Sequence, residues 1–190
     1  MAESIGETAA GSSIAIPTRF VPVESPYEVA VVRNGHTIYM QNAGQINRDS
    51  VRSVIDRSLD ERLVPHYFDN KQHARFYLTE GHLGVGVLQD AYIDILGVEP
   101  SRWGNGIARA LMDTMTEDAQ GKFVLRSQPI SKRQRANEWY SKLAKLIGEV
   151  VNVDGITYNV YAKGISEAEE QHWLGVTREK PSNFELKRLL

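Results

Sequence analysis

Residues 96–112 read LGVEPSRWGNGIARALM, and the meaning of this stretch decides the fold. Before it runs a β-rich segment, AYIDILGV, closed by Pro100, which has no N–H to give to a sheet ladder. After it, Ile107, Leu111, Met112 and Met115 recur at helical spacing in GIARALMDTMTEDAQ. Gly104 and Gly106 therefore stand between a strand and a helix. A Gly-x-Gly in that place either turns the chain sharply or opens a helix N-terminus, whose unpaired N–H groups and dipole favour an anion. A dinucleotide fingerprint would need a third glycine and a phosphate loop would need Gly-Lys-Ser/Thr; neither is present. Taken alone, the loop fits a phosphate cradle and a bare turn equally.

Upstream, RFYLTE, GVGVLQ and AYIDILGV are separated by too few residues for a parallel crossover and so predict antiparallel neighbours. YEVAVVRNGHTIYMQ carries Asn34-Gly35, the turn of a two-residue β-hairpin at about 28 to 41. NRDSVRSVIDRSL predicts an amphipathic helix capped by Asp49 or Ser50. Downstream, KFVLRSQ predicts a buried strand, and ANEWYSKLAKLIG one helix with Trp139, Leu143, Leu146 and Ile147 on a side and Gly148 as its stop. ITYNVYAKG is the last predicted strand, entered through Asp154-Gly155. Ser166 with Glu169 forms a capping box for SEAEEQHWL, and Ser182 with Glu185 repeats it for a short terminal helix. The sum is a single α/β (α+β) domain over residues 27–190, a mixed, mostly antiparallel sheet flanked by helices, behind a flexible tail at 1–26.

Composition narrows the function. With 22 basic and 24 acidic residues the net charge is −2, so no global field draws the chain to nucleic acid or to an anionic membrane. There is no cysteine, which removes disulfides, thiolate metal sites and a cysteine nucleophile together. No apolar run nears the roughly 20 residues that span a bilayer, and MAESIGETAAGSSIAIP lacks the basic and greasy parts of a secretory signal. A soluble, cytoplasmic protein is expected. His66, His73 and His82 lack the spacing of a helical zinc pair, so no metal is expected, and no Gly-x-Ser-x-Gly elbow signals a hydrolase.

The longer run resembles the acetyl-CoA loop of the GNAT N-acetyltransferases, Val-x-Pro-x-x-(Arg/Gln)-Gly-x-Gly-x-(Gly/Ala) followed by Ala-Leu. Val98, Pro100, Gly104, Gly106, Ala108, Ala110 and Leu111 match, and Trp103 stands where Arg or Gln is usual. NEWYSKLAKLIG is similar to the family's Tyr-x-Lys-Leu helix, which puts Tyr140 at the position of its general acid. More narrowly, SLDERLVPHYFD, FYLTEGHLGVGVL, YIDILGV, LRSQ, NEWY, DGITYNVYAKG and REKPSNF resemble the acetyltransferase domain of vertebrate-type N-acetylglutamate synthases over about residues 45 to 185. That resemblance implies a GNAT-like fold, acetyl-CoA as cosubstrate and an amino-acid acceptor. It also implies cationic contacts to glutamate's carboxylates; Arg126 is kept, whereas Ile95 and Gln128 replace a lysine and an arginine.

The resemblance implies a cofactor set of Leu96, Gly97, Val98, Trp103, Gly104, Asn105, Gly106, Ile107 and Ala108, with a main-chain N–H near Val98 polarising the thioester carbonyl. Asn137, one helical turn before Tyr140, either hydrogen-bonds the pantetheine arm or the substrate or is a plain polar residue at the start of the helix. Tyr140 would protonate the leaving thiolate, a phenol and a thiol being nearly matched at pKa about 10 and about 8.5; alone, it reads first as a packing partner of Trp139, and the loop and the resemblance reverse that order. Glu80, Asp94 and Glu99 are carboxylates that could serve as the base, Asp94 first, since it is expected to share a strand face with Tyr92 and Leu96. Arg126 and Gln128 are the expected substrate contacts, and SKRQR at 131–135 either meets a CoA phosphate or an acidic acceptor or is a solvated loop. Three functions stay open: transfer to a small-molecule amine, transfer to a protein or aminoacyl-tRNA, and a non-catalytic CoA-binding module. A homo-oligomer through the exposed hairpin edge is compatible with all three.

Overall fold

In the computed structural model, residues 19–21 and 29–185 are described. Nine strands form one sheet: β1 (Arg19–Val21), β2 (Val29–Arg33), β3 (His36–Asn42), β4 (Arg75–Thr79), β5 (Gly84–Gln89), β6 (Tyr92–Val98), β7 (Phe123–Ser127), β8 (Lys145–Val151) and β9 (Thr157–Lys163). Their spatial order is β1-β2-β3-β4-β5-β6-β7-β9-β8, antiparallel at every joint except β6–β7. The parallel joint is the one bridged by helix α2 (Ile107–Asp118). The hairpin turns at Asn34 (φ 51°) and Gly35 (φ 77°), the positive angles that its twist requires. Strand β1 adds an edge within the expected tail; the rest of that tail, and residues 186–190, lie outside the described residues.

Helix α2 and helix α3 (Gln134–Leu143) pack one face of the sheet, through Leu111, Met115, Leu125, Trp139 and Tyr140. Helix α1 (Arg48–Leu59) and helix α4 (Glu167–Glu179) pack the other, through Val54, Ile55 and Val87 and through Tyr92, Val124 and Trp173. The faces exchange at one point in β6. Val87 pairs with Ile95 and Leu88 with Ile93, so Asp94 is the extra residue of a β-bulge. Ile93 therefore joins the α2 cluster and Ile95 the α1 cluster, although they are two apart. Asp94 consequently shares the α1/α4 face with Tyr92 but not with Leu96, which turns to α2.

Three local expectations are corrected. The cap of α1 is Asn47, whose side chain accepts from the Ser50 N–H, not Asp49 or Ser50. Helix α3 stops at Leu143, Ala144 is extended, and Leu146, Ile147 and Gly148 belong to edge strand β8. The helical spacing of those apolar residues continues past Leu143, but pairing with β9 outweighs it. Gly148 is there for close approach, since a Cβ would lie 3.0 Å from the Leu174 side chain of α4. Ser182 caps no helix among the described residues. Its N–H donates to the Asp154 carboxylate, its hydroxyl accepts from the Phe184 N–H, and Phe184 bridges to Leu63. The capping box of Ser166 and Glu169 is present in full.

Candidate active site

Beyond β6 the chain makes a 3-10 turn at Pro100–Arg102 and enters α2 through Gly104 (φ 90°) and Gly106 (φ 81°), both in the region that favours glycine. The N–H groups of Gly104, Gly106, Ile107 and Ala108 donate to no carbonyl among the described residues, while the Gly106 carbonyl accepts from Ala110. Nothing lies within 4 Å of where a Cβ on Gly104 would sit. Four free donors at the positive end of a twelve-residue helix, with open space at Gly104, suit an anion.

Beside this loop the sheet comes apart. Strands β6 and β7 pair only at Tyr92–Val124 and Ile93–Leu125. The Glu99 N–H donates to the carbonyl of Leu83, the residue before β5, at 2.8 Å. Hydrogen-bonding residues alternate along an antiparallel ladder, so Gly97 also faces β5, and Leu96 and Val98 turn their N–H and C=O groups into the gap toward β7. The Trp103 indole N–H donates to the Val98 carbonyl at 2.8 Å from outside β5, in agreement. Trp103 is nonetheless 56% exposed. Gly97 belongs to packing and not to the loop: a Cβ there would lie 2.9 Å from the Ser58 Cβ of α1. Ile107 is buried in the core, so it offers the site only its main chain.

The gap opens into a cavity of about 70 Å³, room for a few water molecules. Leu96, Leu125 and Tyr140 line it from the α2/α3 side, and Leu59, Ile95 and Phe184 from the α1 side, so it runs through the sheet. Arg126 and Ser127 of β7, with Gln128 just beyond it, form another wall. The Tyr140 ring packs on Trp139 and Tyr161, with centroids 5.4 and 5.8 Å away. Burial pushes its phenol up to about 12, with Arg133 opposing and Tyr161 adding to the rise. Tyr140 thus keeps its proton at neutral pH and is a donor, not a base.

Several other expected site residues are engaged elsewhere. Asn137 donates to the carbonyls of Gln128 and Arg133 and accepts from the Tyr161 hydroxyl, so it fastens α3 to the end of β7. Arg126 donates to the carbonyls of Lys180 and Pro181 and lies over the Tyr158 ring. In the SKRQR loop, Arg133 pairs with Glu61 at 2.7 Å and Lys132 with Asp60 at 3.4 Å, which ties the loop to the end of α1.

Asp94 is the clearest correction. Its carboxylate is fully buried and meets Lys71 at 2.7 Å, Lys180 at 3.2 Å, the Tyr67 hydroxyl at 2.7 Å and the Asn183 amide at 3.2 Å. Burial by itself would raise its pKa, but Lys180, Lys71 and the Tyr67 hydrogen bond outweigh that and hold it well below the usual carboxylate range. Such a group neither takes a proton nor has a free lone pair to reach one. It holds the segment after α4 against β6. Tyr67, Lys71, Lys180, Asn183 and Phe184 carry no local signal of this role, although Tyr67 lies in SLDERLVPHYFD and the last three in REKPSNF, both family-like segments.

Residues 56–144 match the model of the acetyltransferase (GNAT) family. The fold is similar to the ribosomal-protein-S18-alanine N-acetyltransferase from Escherichia coli, with a TM-score of 0.54 at 14% identity over 67% of this chain and 92% of that one. It is also similar to a GNAT-family protein from Bacteroides thetaiotaomicron, with a TM-score of 0.53 at 12% identity over 78% of this chain and all of that one (100%). In sequence, 103 residues are 26% identical to the acetylglutamate kinase of Xanthomonas campestris pv. campestris, covering 49% of this chain and 24% of that protein. The chain thus spans about a quarter of that relative's length.

Proposed function

We propose that this chain, whose residues 56–144 match the GNAT acetyltransferase family model, moves the acetyl group of acetyl-CoA directly onto a small primary amine. The observation that carries the reading is the opening of β6 from β7 beside four unpaired N–H groups, with Tyr140 in the wall of the same gap. The donors of Gly104, Gly106, Ile107 and Ala108 fit a diphosphate, and acetyl-CoA would supply an activated thioester. The Val98 N–H, turned into the gap, would polarise a carbonyl there. Tyr140, protonated at neutral pH, would donate to the departing thiolate. Both carboxylates in the cavity wall, Glu61 and Asp94, are ion-paired, so the acceptor amine arrives neutral or loses its proton to water.

The acceptor reading rests on the cavity. Phe184 and Asn183 wall it on the α1 side, held by the contacts of Asp94 and by the Asn183 carbonyl, which accepts from the Val64 N–H. A polypeptide end would have to displace that wall, whereas a small amine would not. With Ile95 and Gln128 uncharged and both terminal nitrogens of Arg126 committed to carbonyls, a second acceptor carboxylate has little to bind. Glutamate is therefore a weaker candidate than an amine with one carboxylate or none.

Calorimetric titration with acetyl-CoA, followed by a free-thiol assay over amines that includes glutamate and a peptide, tests the proposal. Binding with thiol release on a small amine supports it. Release only with the peptide assigns a protein acceptor, binding without release makes the chain a CoA-binding module, and no binding removes the site.

A further inference from the structure

His36 opens β3 beside the hairpin turn, and its ring lies against the glycine loop. Its Nε2 is 2.7 Å from the Asn105 carbonyl oxygen and 3.8 Å from where a Cβ on Gly106 would be. A carbonyl only accepts, so Nε2 carries the proton in this contact. The hairpin is also docked at the other end of α2, where Arg33 pairs with Glu117. The His36 contact therefore belongs to a braced element.

The side from which His36 reaches the loop matters. In the sheet, β4 and β5 separate β3 from β6, so β3 lies on the side away from the β6–β7 gap. In a trans peptide, C=O and N–H point in opposite directions. Holding the Asn105 carbonyl toward β3 therefore turns the N–H of Gly106 toward the gap, where it is one of the unpaired donors. Nothing else fixes that peptide strongly. Glycines at 104 and 106 allow it to rotate, and the Asn105 N–H makes only a long bond of 3.3 Å to Arg102.

We propose that His36 is a positioning residue for the diphosphate-binding loop: by donating to the Asn105 carbonyl it aims the Gly106 N–H at the bound anion. This rests on the acetyl-CoA reading of the loop. His36 touches no reacting atom, so its effect falls on binding of the diphosphate and not on the chemical step.

The test uses the full chain and two probes, acetyl-CoA and S-acetylpantetheine, which carries the thioester arm without the diphosphate. Loss of one neutral hydrogen bond predicts that His36→Leu weakens acetyl-CoA by about three- to tenfold, raises its KM in parallel and leaves kcat at saturation unchanged. His36→Gln, whose amide nitrogen falls near Nε2, should restore affinity to within about twofold, and S-acetylpantetheine should bind wild type and variants alike. If His36→Leu does not fold, His36→Asn, whose amide falls short of that position, makes the same comparison. Equal acetyl-CoA affinity in wild type and His36→Leu overturns the proposal and leaves the site standing, as does equal weakening of both probes. Failure of wild type itself to bind acetyl-CoA removes the site and the proposal with it.

Discussion

Asp94→Asn separates a structural carboxylate from a catalytic base. In the native cluster one buried carboxylate faces two ammonium groups, Lys71 with 8% of its side chain exposed and Lys180 with 20%. Neutralising Asp94 leaves both without a counter-charge. Removing one partner of a buried ion pair costs about 3–5 kcal/mol, and the lower end applies here because Lys180 can move part of its charge toward solvent. For a chain of this size, about 3 kcal/mol lowers Tm by roughly 6–12 °C. Scanning calorimetry near neutral pH reads that shift, and a thiol-release assay at low temperature, where the variant stays folded, reads kcat. The sign of the pH dependence follows from the depressed pKa. The contribution of Asp94 is complete above the unfolded carboxylate value of about 3.9 and is lost as pH falls through the lower folded value. The gap in stability between wild type and Asp94→Asn should therefore narrow below about pH 4. A Tm unchanged within about 1 °C, together with a kcat reduced a hundredfold or more, would overturn this reasoning and return Asp94 to the role of base.

Other outcomes follow from the same geometry. Tyr140→Phe should lower kcat by about 10²-fold or more while acetyl-CoA affinity by calorimetry stays within about twofold; parallel loss of both would make Tyr140 a packing residue. Gly106→Val forces a side chain onto a φ of 81° at the mouth of the loop, and acetyl-CoA binding should be abolished; unaltered affinity would place the cofactor elsewhere. Gly84→Ala puts a Cβ 2.7 Å from the Ile107 Cγ2, so α2 must shift off β5, at about 1–3 kcal/mol by denaturant unfolding. No change in stability there would show that α2 is not seated as described.

Local chemistry accounts for most of the elements. Asn34-Gly35 fixes the hairpin because few residues adopt its angles, and the short spacing between β4, β5 and β6 leaves only antiparallel pairing. Gly104 and Gly106 mark the strand-to-helix loop for the same steric reason, and Trp139 and Leu143 lie on the helical face that the spacing assigned them. β8 was not legible, because KLIG carries a helical pattern that only the neighbouring β9 overrides.

The sequence by itself determined the main turns, the strands and helices from β2 to Leu143 with β9 and α4 after it, but not β1, and the glycine loop with its family-like pattern. These follow from φ restrictions and side-chain periodicity, which act over a few residues. The tertiary structure alone decided what the polar side chains do. Asp94 joined Lys71 and Lys180, Arg126 the carbonyls of the closing segment, and His36 the loop 69 residues ahead of it, since a charge or donor withdrawn from water takes the partner that folding brings near, whatever its distance along the chain.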